Sequence, residues 1–509
     1  MLDLDCASAA SAKGNAGCSF FPVRVPINQE SHASCFAMYV VNPGMQPVKL
    51  NLSNAGAKVS LAQVARLPRG GGQHLSYDAF DEAAGLPPGA VAILFLAAGP
   101  CPDGVRPATD APDEEPASLE STLGQSFHLT TDRPVVAYQI IPYGGAGSHV
   151  TAATLLLPQE AWGQSYVVAA PNAALTFVIL TAAEDGTEVA LRPSIGLRAG
   201  VGVPAIARGK TGKITLAAGQ TARIYAEIGT LDPLSGSVIA SNKPISVVSG
   251  VPCFNMPIQK GDCDSAHQQL PPLSALGHEY VAVRYRDRRP NVPESVPWQL
   301  VGAADRTTLT YAPAPPAGAP ATLAAGQVVI FSTRDPFVVR SQDAAHSFYM
   351  AAYMTGFTNV DPTPGGPWPG DPDFVNVVPA AQYLSSYVFF TDPTYPDTNL
   401  VVVRARGSDG RFADVSLGCS AAPLSGWMAV GDYEYTRVDL VTGDFQPMIA
   451  GCDNGRQTMK SAAPFGVTVW GWGSQQVKVA GEGTGATSYA YPAGASVLRA
   501  NDVQPRIVE

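Results

Sequence analysis

Along most of the chain, apolar and polar residues alternate with period two, the pattern of strands with one buried and one wet face. TFVILTAAEDGTEVAL (176–191) is typical. Two β-rich runs flank Glu184-Asp185-Gly186, and the Asp-Gly pair offers the positive φ that a tight hairpin needs. VVVRARGSDGRFADVSL (401–417) repeats the design around Asp409-Gly410. Helical periodicity is scarce, and only the stretches around 59–66 and 157–163 predict a turn or two of helix.

Three phrases recur on this strand-rich background. The first sets Ser or Thr three places before a proline and an apolar residue after it: Thr131/Pro134/Val135, Ser241/Pro244/Ile245, Thr333/Pro336/Phe337 and Ser461/Pro464/Phe465. The second sets tyrosine eight residues after proline, at Pro158/Tyr166, Pro272/Tyr280 and Pro379/Tyr387. The third is Leu-x-x-Gly followed by alternating apolar positions, from Leu86, Leu216 and Leu323. Proline is tolerated where a strand begins, because the ladder does not need its missing N–H there. A Ser or Thr hydroxyl can bond the turn's backbone and fix its shape. The phrases therefore predict equivalent turns entering equivalent strands in four related β units: 1–150, 151–265, 266–365 and 366–509. The prolines are unequally spaced, which suits diverged modules better than a tight solenoid. The expected fold is all-β, several antiparallel sandwich-like modules, with a β-propeller of blades around a shared channel as the alternative.

Composition agrees with many short strands. At 509 residues the chain exceeds one core, and Gly 50 with Pro 45 supplies abundant turns. A net charge of −10 leaves no basic surplus for phosphates, so nucleic acid is not an expected partner. No run of about twenty apolar residues exists to span a bilayer as a helix. The N-terminus MLDLDCASAASAKGNAGC lacks the cationic start and apolar core of a signal peptide, and the expectation is a leader trimmed from a precursor. PCPDGVRPATDAPDEEPASLES (100–121) reads as an acidic solvated loop, and DPTPGGPWPGDPD (361–373) as a stiff linker between the third and fourth units.

The eight cysteines (Cys6, Cys18, Cys35, Cys101, Cys253, Cys263, Cys419, Cys452) include no CxxC. Cys253 with Cys263, and Cys419 with Cys452, are spaced to close loops, and Cys18 and Cys35 are further disulfide candidates. Each bridge would stabilise by about 2–4 kcal/mol. Free cysteines buried in a cytosolic protein are the competing reading.

Signatures of catalysis are missing. IARGKTGK (206–213) has Pro204 where a phosphate loop needs glycine, so it reads as a surface turn. His278-Glu279 lacks the second histidine of a zinc protease, and no Gly-x-Ser-x-Gly elbow occurs. His267 follows Cys263 by four residues, but a bridged Cys263 could not ligate metal. No metal or cofactor is expected. Two features are weighed as ligand-binding surfaces. VRYRDRRP sets Arg284, Arg286 and Arg288 on one side of an extended run, with Arg289 beside them, suited either to anionic ligands or to pairing with the chain's own carboxylates. VTVWGWG sets Trp470 and Trp472 on one strand face, either as a stacking platform with Tyr489 and Tyr491 or as core.

The ordered phrases FFPVRVP, YVVNPG, LTTDRPVVAYQ, LLLPQEAWGQSYVV, GSVIASNKPISVVSG, CDSAHQQLPPLSALGHEY, YVFFTDPTYPDTNLVVVR and SYAYPAG resemble the bacterial branch of the IgGFc-binding protein N-terminal family, from Gly17 to Val497. The most specific are GSVIASNKPISVVSG and CDSAHQQLPP. The resemblance implies a secreted or surface-anchored, non-enzymatic, β-rich protein. It brings no binding residues with it. The expected function is therefore an extracellular binding or adhesion scaffold for a protein or glycan. The alternatives are a self-assembling surface or matrix component, or a glycan-acting hydrolase with carboxylates meeting in a cleft.

Overall fold

The computed structural model describes residues 5–27, 35–97, 101, 120–144, 150–227, 234–258, 260–261, 263–361, 363, 366–479 and 482–505. Nearly all of the acidic stretch 100–121 lies outside them. The protein is all-β, as the alternation predicts, and its strands pair antiparallel apart from a short parallel contact of Gly200–Val201 with Ser121–Gln125. One nine-stranded sheet gathers strands from Ala16–Phe20 to Ala152–Leu156 around the long strand Phe127–Ile141. A second is built around Val238–Phe254 and also takes in Ser121–Gln125. Two four-stranded sheets use strands between Glu279–Ala282 and Asp373–Asn376, and an eight-stranded sheet surrounds Gly455–Trp472. We refer to these four groups as modules one to four.

Three of the four proline phrases sit within long strands, while Pro336 directly precedes the strand Phe337–Ser341, as expected. Gly17 pairs with Val135 and Ser19 with Thr130, so Cys18 faces the four residues 131–134. Gln164 faces 241–244 in the same way, and Ser385 faces 461–464. Each phrase is thus a wide bulge of one residue against four, which bends the long strand from one set of partners to another. Proline fits because a bulged residue donates to no ladder. In the third module the bend becomes a break: Val328–Thr333 and Phe337–Ser341 lie in different sheets on either side of Pro336. The hydroxyls fix the bends as expected. Thr131 Oγ1 donates to Arg133 O (2.7 Å) and Ser241 Oγ to Lys243 O (2.6 Å), while Thr333 Oγ1 accepts from Asp335 N (3.1 Å) and Ser461 Oγ from Ala463 N (3.3 Å).

Neither Asp-Gly turn pairs the strands that flank it, although Asp409-Gly410 closes a short antiparallel bridge of Arg406 with Phe412. Gly186 has the expected positive φ of 65°, yet Phe177–Ala182 and Thr187–Arg192 do not pair with each other. Both pair with Val238–Phe254, one on each side of its bend. Asp397–Arg404 and Val415–Leu417 divide Gly455–Trp472 likewise. A bent strand offers partners in two directions, so the chain arches from one to the other instead of folding back.

The prolines of the second phrase cap short 3-10 turns, Gln159–Ala161, Leu273–Ala275 and Ala380–Gln382. The tyrosine hydroxyl that follows locks each turn. Tyr166 accepts from Gly163 N (2.9 Å) and donates to Ile245 O (2.6 Å), and Tyr280 accepts from Gly277 N (3.1 Å) and donates to Phe348 O (2.6 Å). Tyr387 repeats this with Leu384 N and Phe465 O.

One strand from each module runs along a common axis: Ala152–Leu156, Asp264–Gln269, Asp373–Asn376 and Ser488–Pro492. Each packs on the next and the last on the first, so the modules close into a ring. The axis is filled with side chains, and all four strands are buried throughout. The ring closes where the chain ends meet: Gly14 bridges Ser496 antiparallel, and Val497 N donates to Lys13 O (2.6 Å). All eight cysteines are bridged, as Cys6–Cys18, Cys35–Cys101, Cys253–Cys263 and Cys419–Cys452.

Candidate functional site

The arginine and tryptophan faces singled out in the sequence lie inside the molecule, at the junction of modules three and four. Trp470 and Trp472 are each 1% exposed. They pack on Tyr285 at ring-centroid distances of 4.9 and 6.0 Å. Arg288 is enclosed and forks onto Glu294 (Nη2–Oε2 2.9 Å, Nε–Oε1 3.1 Å), while its remaining donors reach Pro369 O and Thr355 O (2.7 Å each). Arg286 joins Asp397 (2.5 Å) and Asp439 (2.7 Å) and covers the Trp472 ring at 4.7 Å. Arg284 is held by Asp287 (2.7 Å), and Arg289 by Asp361. These groups therefore form an internal clamp rather than an exposed platform. The segment expected as a linker at 361–373 is part of the clamp: Pro369 and Gly370 are buried, and Pro367 O accepts from Gln475 N (2.7 Å).

The axis is unusually polar for a core. Gln268 Nε2 donates to Ala153 O and Phe374 O (2.9 Å each) and lies 3.4 Å from Ala490 O, so one amide bonds across to the other three axial strands. Its Oε1 accepts from Thr154 Oγ1 (3.2 Å). His267 shares a 3.0 Å bond with Gln139, and burial depresses its pKa to about 3, so it stays neutral. At the leading ends of two axial strands lie Asp264 and Asp373, fully buried. Each accepts one backbone N–H through Oδ1 (2.7 and 2.6 Å), and each Oδ2 has no hydrogen-bond partner among the described residues. Burial raises both carboxyls well above their ordinary range, and for Asp264 the neighbouring Asp371 and Asp373 add to the effect. Such burial favours the protonated over the charged carboxyl. Among the described residues no three His, Cys, Asp or Glu side chains are disposed to hold a metal ion.

Access from outside is offered at the junctions between modules. The Leu-x-x-Gly turns build these junctions. Gly326 of module three lies against Gly236, where a Cβ on Gly236 would fall 2.1 Å from Gly326 O. Gly219 O accepts from Ser126 N and Oγ of module one (3.0 Å each). A cleft of about 700 Å3 opens between modules two and three. Arg192, Arg208 and Arg306 line it together with His346, Asp305 and Asp502. Arg192 Nε reaches Gly209 O (3.3 Å), His346 pairs with Asp343 (2.7 Å), and Asp502 is held by Arg499 (2.6 Å). The exposed Arg306 has no ion-pair partner among the described residues, and three arginines against two aspartates leave the cleft basic on an acidic molecule. Nothing in the local sequence marks it, because its arginines lie far apart in the chain and meet only at the junction.

A sequence model of the family described as IgGFc binding protein matches residues 152–471, more than half of the chain. The chain belongs to that family. The match begins on the first axial strand and ends one residue before Trp472, so the IgGFc binding protein signature covers modules two and three and most of module four. A curated relative, the IgGFc-binding protein of Homo sapiens, is 28% identical over 301 residues, which make up 57% of this chain and 5% of the human protein. This IgGFc binding family member therefore corresponds to a small part of that relative. A solved structure, an anti-sigma factor domain-containing protein from Clostridium clariflavum, aligns over 91% of this chain and all of its own, but at 7% identity and a TM-score of 0.12 it bears on nothing here.

Proposed function

We propose that this chain is an extracellular binding module that recognises a protein or glycan partner and catalyses no reaction. Membership of the IgGFc binding protein family carries the reading, since the human relative's name describes binding of immunoglobulin Fc. Four disulfides on a closed ring suit an oxidising exterior. The basic cleft between modules two and three is the recognition surface, where arginine forks would hold carboxylates of a partner. The adhesion role follows if the partner is fixed to a surface or matrix.

The test is binding of the oxidised protein to an array carrying immunoglobulin Fc, extracellular matrix proteins and glycans. Saturable binding that Arg306→Glu weakens tenfold or more supports both the class and the cleft. A uniformly blank array overturns the reading. Concentration-dependent light scattering by the same sample would favour self-assembly instead.

A further inference from the structure

A second cleft, about 460 Å3, opens between modules one and four. It stands at the ring position equivalent to the basic cleft, because in both a Leu-x-x-Gly turn meets the start of the preceding module's long strand. Here the turn is Pro87-Pro88-Gly89 and the strand begins at Gly455. Arg456, in register with Phe390, lies across the turn: a Cβ on Gly89 would come 3.2 Å from Arg456 Cζ. Gly89 itself has a positive φ of 68°, which glycine adopts without strain.

Arg456 differs from the paired arginines of modules three and four. Arg286, Arg288, Arg340 and Arg404 each hold a carboxylate. Arg456 is half-buried and has no hydrogen-bond or ion-pair partner among the described residues, and its Nε is shielded from solvent. Burial lowers its pKa, the sign of an uncompensated cation. Among the described residues no acidic side chain lines the cleft, and Arg69 on its rim adds a second positive charge, shared with an exposed Asp78. Beside Arg456, Asn454 donates through Nδ2 to Tyr395 O (2.9 Å), which fixes the start of the strand, and its Oδ1 is shielded from solvent. Proline and aliphatic walls (Pro68, Pro88, Val91, Pro393) complete the lining. The volume falls within the range of small-ligand sites, about 300–1,000 Å3.

We propose that this cleft binds a small organic carboxylate, forked by the two terminal nitrogens of Arg456. An acidic sugar and a peptide's C-terminal residue share that chemistry. The site does not depend on the cleft between modules two and three, and Arg306→Glu leaves it unchanged.

The experiment is calorimetric titration of the full chain with glucuronate, glucose, a tripeptide, its C-terminal amide, and inorganic sulfate. Saturable binding of glucuronate or of the free-acid tripeptide, but not of its neutral counterpart, is expected, and the member that binds names the source. Arg456→Gln is expected to weaken that binding at least tenfold while leaving the melting temperature unchanged or raised, because it removes an unpaired half-buried charge. A melting temperature lowered by several degrees would instead make Arg456 a structural residue and overturn the proposal. So would equal affinity in Arg456→Gln, sulfate binding as tightly as the carboxylates, or no saturable binding of any carboxylate.

Discussion

Gly163 lies against the ring of Pro272 so closely that a Cβ on the glycine would fall 2.4 Å from Pro272 Cβ. The same pair recurs as Gly17 with Pro158 and Gly277 with Pro379, each at 2.3 Å, so three of the four steps around the ring use one contact between successive modules. The position equivalent to the glycine in module four is Leu384, which borders a cleft of about 280 Å3 with Ala9, Ala12 and Gly14 of the N-terminal segment.

None of these glycines has positive φ, so alanine would cost sterically rather than through backbone strain. Gly163→Ala is expected to destabilise by about 1–3 kcal/mol, the usual cost of overpacking. Leu384→Ala, at the looser fourth step, should cost less than truncation of an enclosed leucine. Urea unfolding of both variants checks the ordering.

Gln268 ties the axial strands together, and its removal would strand buried carbonyls of two modules. Gln268→Leu keeps the volume but leaves Ala153 O and Phe374 O without this donor. A loss of about 2–4 kcal/mol is expected from two unsatisfied groups. A change below 0.5 kcal/mol (roughly the size of surface effects) would show that the axis does not depend on this amide.

The Arg288–Glu294 pair is enclosed, with side-chain exposures of 0% and 2%. Arg288→Met alone leaves a buried carboxylate and should cost about 3–5 kcal/mol, whereas adding Glu294→Leu should recover most of that loss. A double-mutant cycle by thermal denaturation measures the coupling.

Several carboxyls titrate high in the folded protein. Burial is the main cause for Asp264, Asp373 and Asp392, and it pushes Asp397 up to about 6 against the pull of Arg286. The folded state then holds more protons than the unfolded chain, whose aspartates titrate near about 3.9. The resulting stability is complete below that value and declines as pH rises through the folded pKa values, by up to about 1.4 kcal/mol per pH unit for each group. The melting temperature is therefore expected to rise on acidification from pH 7 to 5. Asp373→Asn, which mimics the protonated carboxyl, should raise stability at pH 8 and flatten the profile. A melting temperature that falls steadily between pH 7 and 5 would refute the assignment.

Fold class and the repeated phrases were legible because alternation and turn chemistry are local. The proline phrases read as strand starts, since a sequence cannot reveal that Cys18, Gln164 and Ser385 each face four residues; that count belongs to the partner strand. The Asp185-Gly186 turn has the conformation a hairpin needs, but the choice of partner lies more than fifty residues downstream, in the bend at Pro244. Alternation likewise looks the same whether a face meets water or another module. The sequence leaves Arg286 and Trp472 open between a ligand surface and internal pairing, because Asp397 and Asp439, which enclose them, come more than a hundred residues after Arg286. DSAHQQ shows no hydrophobic face at all, yet its six residues are buried, since the axis satisfies polar side chains with neighbouring modules.

The clasp that closes the ring also decides how the molecule meets a mechanical load. Gly14 and Ser496 run antiparallel, so the two chain ends leave the clasp on the same side. Tension applied through them strips its hydrogen bonds one at a time instead of shearing them together. Beyond the clasp, Asn501 ties the C-terminal segment to Leu273 O and Leu276 O, so those bonds meet the load before the joint at Leu384, while the Cys6–Cys18 staple keeps the detached N-terminal segment short.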